Sequence, residues 1–120
     1  MAIYIPERNH VVWLDFEPTK GKEIGKYRPA LVLSSKCYNR QTGLLICCPI
    51  STSIRGGPTE VKLCNLEKPS VVAASLIQTL AWKERKVKLV CEAEEGVLEE
   101  VLVRIAPLIG IDRIIDRFIE

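Results

Sequence analysis

The stretch 10-HVVWLDFEPTKGKEIGKYRPALVLSS-35 decides how the rest of the chain is read. Residues 10–16, rich in Val, Trp and Phe, have the composition of a strand, and the apolar run that opens at Arg28-Pro29 has it again. Pro29 donates no N–H, so it fits only near a strand start or an edge. Between the two runs Pro18, Gly21 and Gly25 break every period, leaving a long loop that carries Lys20, Lys22, Glu23 and Lys26. A charged loop that feeds straight into a buried-looking strand, with an arginine at the joint, is the feature that asks for a function.

Further along, 36-KCYNRQTG-43 reads as a turn or short helical connection in which Asn39 and Gly43 supply the turn chemistry. The segment 44-LLICCPIS-51 is a third strand, expected to be interrupted near its end by Pro49, and 52-TSIRGGP-58 is a second glycine-containing loop. Then 59-TEVKL-63 alternates as a strand should, and 70-SVVAASLIQTLAW-82 supplies one or two more before the basic segment 83-KERKVKLV-90. Beyond it the period changes. Leu98, Val101, Leu102 and Ile105 recur at helical spacing, with Glu94 and Glu95 at the start, where the helix dipole favours acids. Pro107 is expected to end or kink this helix. Ile111, Ile114, Ile115 and Phe118 form the apolar face of a second amphipathic piece. Short strands followed by helices predict a mainly β, α+β protein: a small barrel-like sheet with C-terminal helices at one side.

At 120 residues the chain has the length of one domain, expected to span 1–120, and 48% hydrophobic with 27% charged residues is the balance of an ordinary globular protein. The N-terminus reaches charge and proline without an apolar h-region, and no apolar run approaches the roughly 20 residues of a membrane span, so a cytoplasmic location is expected. Cys37, Cys47, Cys48, Cys64 and Cys91 are odd in number and show no CxxC spacing, which predicts reduced thiols that mostly fill space. Cys47 and Cys48, neighbours on a strand, should point to opposite faces. The net charge is only +2, but residues 91–120 hold Arg104, Arg113 and Arg117 against eight acids, which leaves the rest of the chain distinctly basic. Such asymmetry suggests a surface for polyphosphate partners, or simply a solvated face.

One histidine, His10, and no ligand cluster give a metal site no support, and no cofactor is expected; His10 reads as structural or solvent-facing. There is no GxSxG elbow and no phosphate-binding glycine fingerprint. What remains is two glycine-containing loops at strand ends, with Glu23, Arg28, Ser51 and Thr52 at their edges. A guanidinium matches phosphate bidentately and stays charged at physiological pH, and a hydroxyl can donate to the same oxygens. The residues alone also allow Arg28 as a plain surface cation and Ser51 as a turn residue.

Residues 11–53 closely resemble the N-terminal block of the MazF/PemK toxins, the mRNA interferases of toxin–antitoxin systems. The resemblance rests on an ordered series: 13-WLDF-16, 18-PTKGKE-23, 28-RPALVLS-34, 38-YNRQTG-43 and 48-CPIST-52. It continues more weakly through 78-QTLAW-82 and 104-RIAPLIG-110, so it covers about residues 9–110, with residues 111–120 as an added helical tail. Two departures stand out: Asn9-His10 replaces the Gly-Asp with which the family often begins, and Ser75-Leu76 replaces an acid followed by Gln.

This resemblance implies a homodimeric barrel of the SH3-like or CcdB-like kind that cleaves single-stranded RNA at specific sequences without a metal. In such cleavage the ribose 2′-OH attacks the adjacent phosphorus and leaves a 2′,3′-cyclic phosphate. By position, Arg28 is the family's arginine beside the scissile phosphate, Ser51 its catalytic hydroxyl and Glu23 its loop acid. Lys20, Lys22, Lys26, Thr52 and Gln78 would contact the RNA, and Trp82 with the Leu/Ile-rich helix would bury the two-fold interface. An acidic, partly disordered antitoxin would block the groove. Two non-enzymatic readings compete, a CcdB-like gyrase poison and a catalytically silent relative that binds RNA or antitoxin. The tail lacks the terminal Trp-Gly-Ile of the gyrase poisons.

Overall fold

The computed structural model describes residues 3–119, with side chains to Phe118; Met1, Ala2 and Glu120, the last residue of the expected tail, lie outside the described residues. Seven strands run as β1 (His10–Asp15), β2 (Tyr27–Val32), β3 (Leu44–Ser51), β4 (Glu60–Leu63), β5 (Ser70–Ala73), β6 (Gln78–Ala81) and β7 (Lys88–Glu92). Helix α1 (Lys36–Thr42) lies between β2 and β3, and α2 (Val97–Ile109) and α3 (Ile111–Ile119) close the chain. All pairings are antiparallel, in the order β4-β5-β3-β2-β1-β7 with β6 also on β3, which curls the sheet into a half-barrel. The expected mainly β fold with C-terminal helices is therefore present. Among the described residues no helix is long and apolar enough to cross a membrane.

Strand β3 organises the sheet. Its first half pairs with β6 over Leu44–Cys47, and its end pairs with β5 through Ile50 and Ser51. Pro49 sits at this hand-over and faces Ala30 of β2. Contrary to expectation it does not interrupt the strand, because the N–H it lacks falls where the pairing partner changes. Cys47 and Cys48 point to opposite faces, as the two-residue period requires. Cys47 packs with Val12, Leu14, Phe16 and Trp82, while Cys48 packs with Val11, Leu31, Val72 and Val101. A sheet buried on both faces explains why β2 and β3 read as continuous apolar runs. Each fully buried branched side chain adds roughly 1.5–3 kcal/mol relative to exposure.

Several expectations change in detail. The buried row of α2 is Val97, Val101 and Ile105, whereas Leu102 is 45% exposed. The helix starts only at Val97, so Glu94 and Glu95 precede it, and it lies on the sheet along an i, i+4 row. Pro107 is accommodated inside the helix, which ends at Gly110 (φ 80°); in the last turn the missing N–H costs a single bond. Trp82 is only 2% exposed and donates Nε1–H to the Asn39 carbonyl at 3.0 Å, so it is a core residue of its own chain and not an interface residue. Asn39 is likewise no simple turn residue: its buried amide donates to the Pro6 carbonyl (2.8 Å) and accepts from the Ser34 hydroxyl (2.5 Å). Asn9 takes φ 76°, which its short polar side chain tolerates, so the turn commonly built with glycine forms without one.

Candidate active site

The loop from Phe16 to Lys26 is shaped by its own backbone. The Phe16 N–H donates to the Lys26 carbonyl (2.9 Å) and the Lys26 N–H donates to Glu17 Oε1 (2.8 Å), which brings the loop ends together. At the tip, the Lys20 N–H donates to Glu23 Oε1 at 2.6 Å. A Cβ at Gly25 would run into the Glu17 carboxylate, so a larger residue there would push that carboxylate off the Lys26 N–H. From below, Arg85 donates through Nη1 to the carbonyls of Asp15 and Glu17, both at 2.9 Å, and its own carbonyl accepts from the Asp15 N–H.

Arg28 stands opposite Leu14 in β2. Its Nε donates to the Gly25 carbonyl at 2.6 Å, so the loop sets the plane of the guanidinium and no hydrogen bond within the described chain uses its terminal nitrogens. Partial burial lowers its pKa from the ordinary value, and in arginine that still leaves a cation at neutral pH. Ser51 ends β3, the strand next to β2, and its Oγ accepts from the Ser53 N–H at 3.0 Å, which leaves the hydroxyl proton free to donate. Arg28 and Ser51 open into one cavity of about 390 Å³, with Lys26 and Thr52 on its wall. Trp13 and Tyr27, stacked with centroids 5.2 Å apart, line it too.

The other expected residues divide between neighbouring cavities. Glu23 and Lys22 line the adjoining cavity of about 370 Å³, which shares Ser51 with the first. Glu23 reappears with Ser75, Leu76 and Gln78 around a smaller cavity of about 180 Å³. The fold thus brings Arg28, Ser51, Lys26 and Thr52 together and places Glu23 one cavity away, its carboxylate engaged by the Lys20 N–H. Lys20 is exposed on the loop. His10, without a catalytic partner, stacks on Tyr4 and is bonded through Nδ1 to its hydroxyl at 2.7 Å. Sequence reasoning missed Arg85 and Glu17, the residues that hold the loop. Arg85 reaches 70 positions along the chain to Asp15, and no local signal marks such a contact.

A guanidinium and a hydroxyl that reach one cavity from adjacent strands, beneath a lysine-bearing loop, are chemically suited to a phosphodiester. The chain matches the family of PemK-like, MazF-like toxins of type II toxin–antitoxin systems over residues 7–109. It is 36% identical over 107 residues to the endoribonuclease toxin MazF of Escherichia coli strain K12, covering 89% of this chain and 96% of that protein. The crystal structure of MazF from Deinococcus radiodurans superposes with a TM-score of 0.87 at 41% identity, covering 90% of this chain and 99% of that one. The MazE–MazF structure from the same organism gives 0.78 at 38%, covering 90% and 98%. The chain belongs to the PemK-like, MazF-like toxin family. Its relatives' names carry endoribonuclease activity, so the relationship supports an enzyme over either non-enzymatic reading.

Proposed function

We propose that this protein is an endoribonuclease toxin that cuts single-stranded RNA at specific sequences, with Arg28 and Ser51 at the scissile phosphodiester. The reading is carried by one observation: these two side chains, contributed by adjacent strands, line the same cavity beside Lys26. The nucleophile is the substrate's own 2′-OH, so no metal-bound water has to be generated. As it attacks phosphorus, charge builds on the nonbridging oxygens. Arg28 neutralises that charge and the Ser51 hydroxyl donates to it, and the 5′-oxygen leaves to give a 2′,3′-cyclic phosphate. Arginine is a poor base, so Arg28 acts electrostatically, and Glu23, in the adjoining cavity, takes up the 2′-OH proton through an intervening water and returns a proton to the leaving 5′-oxygen by the same route. Lys20, Lys22 and Lys26 meet flanking phosphates; Thr52 and Gln78 contact the RNA, Gln78 beside Ser75 and Leu76 at a base edge.

In this reading residues 1–120 form one SH3-like, CcdB-like domain that works in the cytoplasm as a homodimer. The exposed side chains of Leu102, Val103, Leu108 and Ile109 on α2 suit a two-fold apolar interface. The cognate partner is an antitoxin, in line with the MazE–MazF structures of the Deinococcus relative; it is acidic and partly disordered and lies over the groove of Lys26 and Arg28, trading its ordering entropy for charge pairing. Incubation with a long RNA in EDTA, with the products read by mass spectrometry, tests the chemistry. Fragments ending in 2′,3′-cyclic phosphate are expected, and intact RNA from folded protein would sink the proposal.

A further inference from the structure

The cavity of Arg28 and Ser51 is one of a series. On one side it leads through Ser51 and Ser53 to the Glu23 cavity, and from there to the Ser75–Gln78 end. On the opposite side it shares Trp13, Pro29, Thr52 and Ser70 with a further cavity of about 450 Å³. The far wall of that cavity is formed by Leu66, Glu67, Lys68 and Val90. None of these four residues has a part in the function proposed above. Taking that function as given, we infer that this cavity holds the base of the nucleotide lying across the scissile phosphodiester from the one met by Ser75, Leu76 and Gln78.

Three features of the site fit a base. First, its surface is mainly apolar, with the Trp13 indole, Pro29, Leu66 and Val90 offering the flat and aliphatic contacts on which unstacked bases rest. Second, Val90 enters it through an irregularity: β1 pairs Val11 with Cys91 and Val12 with Leu89, so Val90 is the extra residue of a β-bulge. Bulges next to sites re-aim a side chain that regular pairing would direct elsewhere, and Val90, on the exposed strand β7, is open to the cavity at 40% exposure. Third, the rim carries Glu67 and Lys68, and neither takes part in the ion pairs found among the described residues. A carboxylate only accepts hydrogen bonds, so Glu67 favours a base with an exocyclic amino group, adenine, cytosine or guanine, over uracil. The observation that commits the cavity to substrate is its continuity: a strand with its phosphorus at Arg28 and Ser51 has a neighbouring base on each side, and a cavity adjoins on each side.

The test uses the full-length protein and short RNAs carrying adenine, cytosine, uracil or an abasic residue at each of the two nucleotides flanking the cut. At the nucleotide away from Gln78, an abasic residue should lower kcat/KM about tenfold, the size of one good base contact. Adenine and cytosine should be preferred to uracil there. Glu67→Gln should level that preference and leave the other flanking position unchanged. Val90→Ser should cost several-fold on the intact RNA and nothing on the abasic one. Glu67 and Val90 are both exposed, so these variants keep the fold readable. A neutral abasic substitution, a Glu67→Gln effect at the Gln78 position, or a Val90→Ser penalty that persists on the abasic RNA would each overturn the assignment while leaving the endoribonuclease intact. Weakened antitoxin affinity in these variants with unchanged cleavage would also overturn it and give the cavity to the antitoxin. Wild-type protein that cuts no RNA would instead remove the endoribonuclease reading, and this inference with it.

Discussion

The β1–β2 loop (residues 16–26) and the β3–β4 loop (residues 52–59) both border the active cavities, and both turn a carboxylate from a strand root onto their own backbone N–H groups. In the first, Glu17 accepts from the Lys26 N–H. In the second, Glu60 accepts from the N–H groups of Arg55 and Gly56, the latter at 2.8 Å. The resemblance ends there. Arg85 also grips the first loop at two carbonyls, and that loop in turn fixes Arg28 through the Gly25 carbonyl. The second loop is tied only at its end, where the Thr59 carbonyl accepts from the Ala74 N–H at 3.0 Å and its hydroxyl meets that of Ser75; among the described residues no arginine spans it, and it carries Ser53 and Arg55 on an exposed backbone. Hydrogen bonds are thus concentrated on the wall that holds Arg28, the guanidinium proposed to meet developing charge, while the other wall needs only to be nearby.

That contrast can be broken by experiment. The largest effect is expected at the chemistry itself: Arg28→Ala and Ser51→Ala should each keep the fold and lose about 10²–10³ in single-turnover cleavage. Unchanged turnover in either variant would remove that residue from the site. Next come the braces. Arg85→Ala and Glu17→Gln should lower kcat about tenfold with little change in KM, because a small misplacement of Arg28 is felt in the transition state and hardly in binding. Arg85→Lys, which can still donate to both carbonyls, should recover part of the loss. A pure KM effect would show that the loop only binds. For Glu60→Gln a loss under about threefold is expected, since it loosens a wall and not a catalytic group. If Glu60→Gln matched Arg85→Ala, the two loops would have to be treated as equals.

Alkali should act on the stability of the sheet and its surroundings. Burial pushes the Cys48 thiol up to about 12 and the Cys47 thiol higher still, and burial together with Glu7 raises the Tyr4 phenol to about 12. The unfolded chain therefore releases these protons first, from a thiol value of 9.0 upward. Stability should be level below that pH and fall as pH rises from 9.0 toward 12. Replacing Cys48 by Val should flatten the slope in denaturant titrations across this window, and an unchanged slope would show that the thiol ionises equally in both states.

Much of this was legible without coordinates. The strand runs at 10–16, 28–35 and 44–51 announced themselves by composition, the loop by Pro18, Gly21 and Gly25, and the pair Arg28–Ser51 by position at strand ends and by family resemblance. The opposite facing of Cys47 and Cys48 followed from the strand period alone. Less was legible where burial decides. Leu102 and Val97 both fit a helical stripe, and only the sheet beneath α2 selects Val97. Pro49 looked like a break because the hand-over from β6 to β5 is a property of three strands at once.

The amino-acid order alone carried the mainly β class, the first strands and the C-terminal helices, the charged loop and the residues proposed to bind a phosphodiester, because period, turn chemistry and side-chain type are carried by neighbouring residues. The tertiary structure alone decided that Arg28 and Ser51 share a cavity while Glu23 stands in the next, that Arg85 braces a loop 70 positions earlier, and that Val90 leaves the pairing register to face a cavity. These are relations between segments far apart in the chain, set by which surfaces must be buried together, and a local pattern holds no record of them.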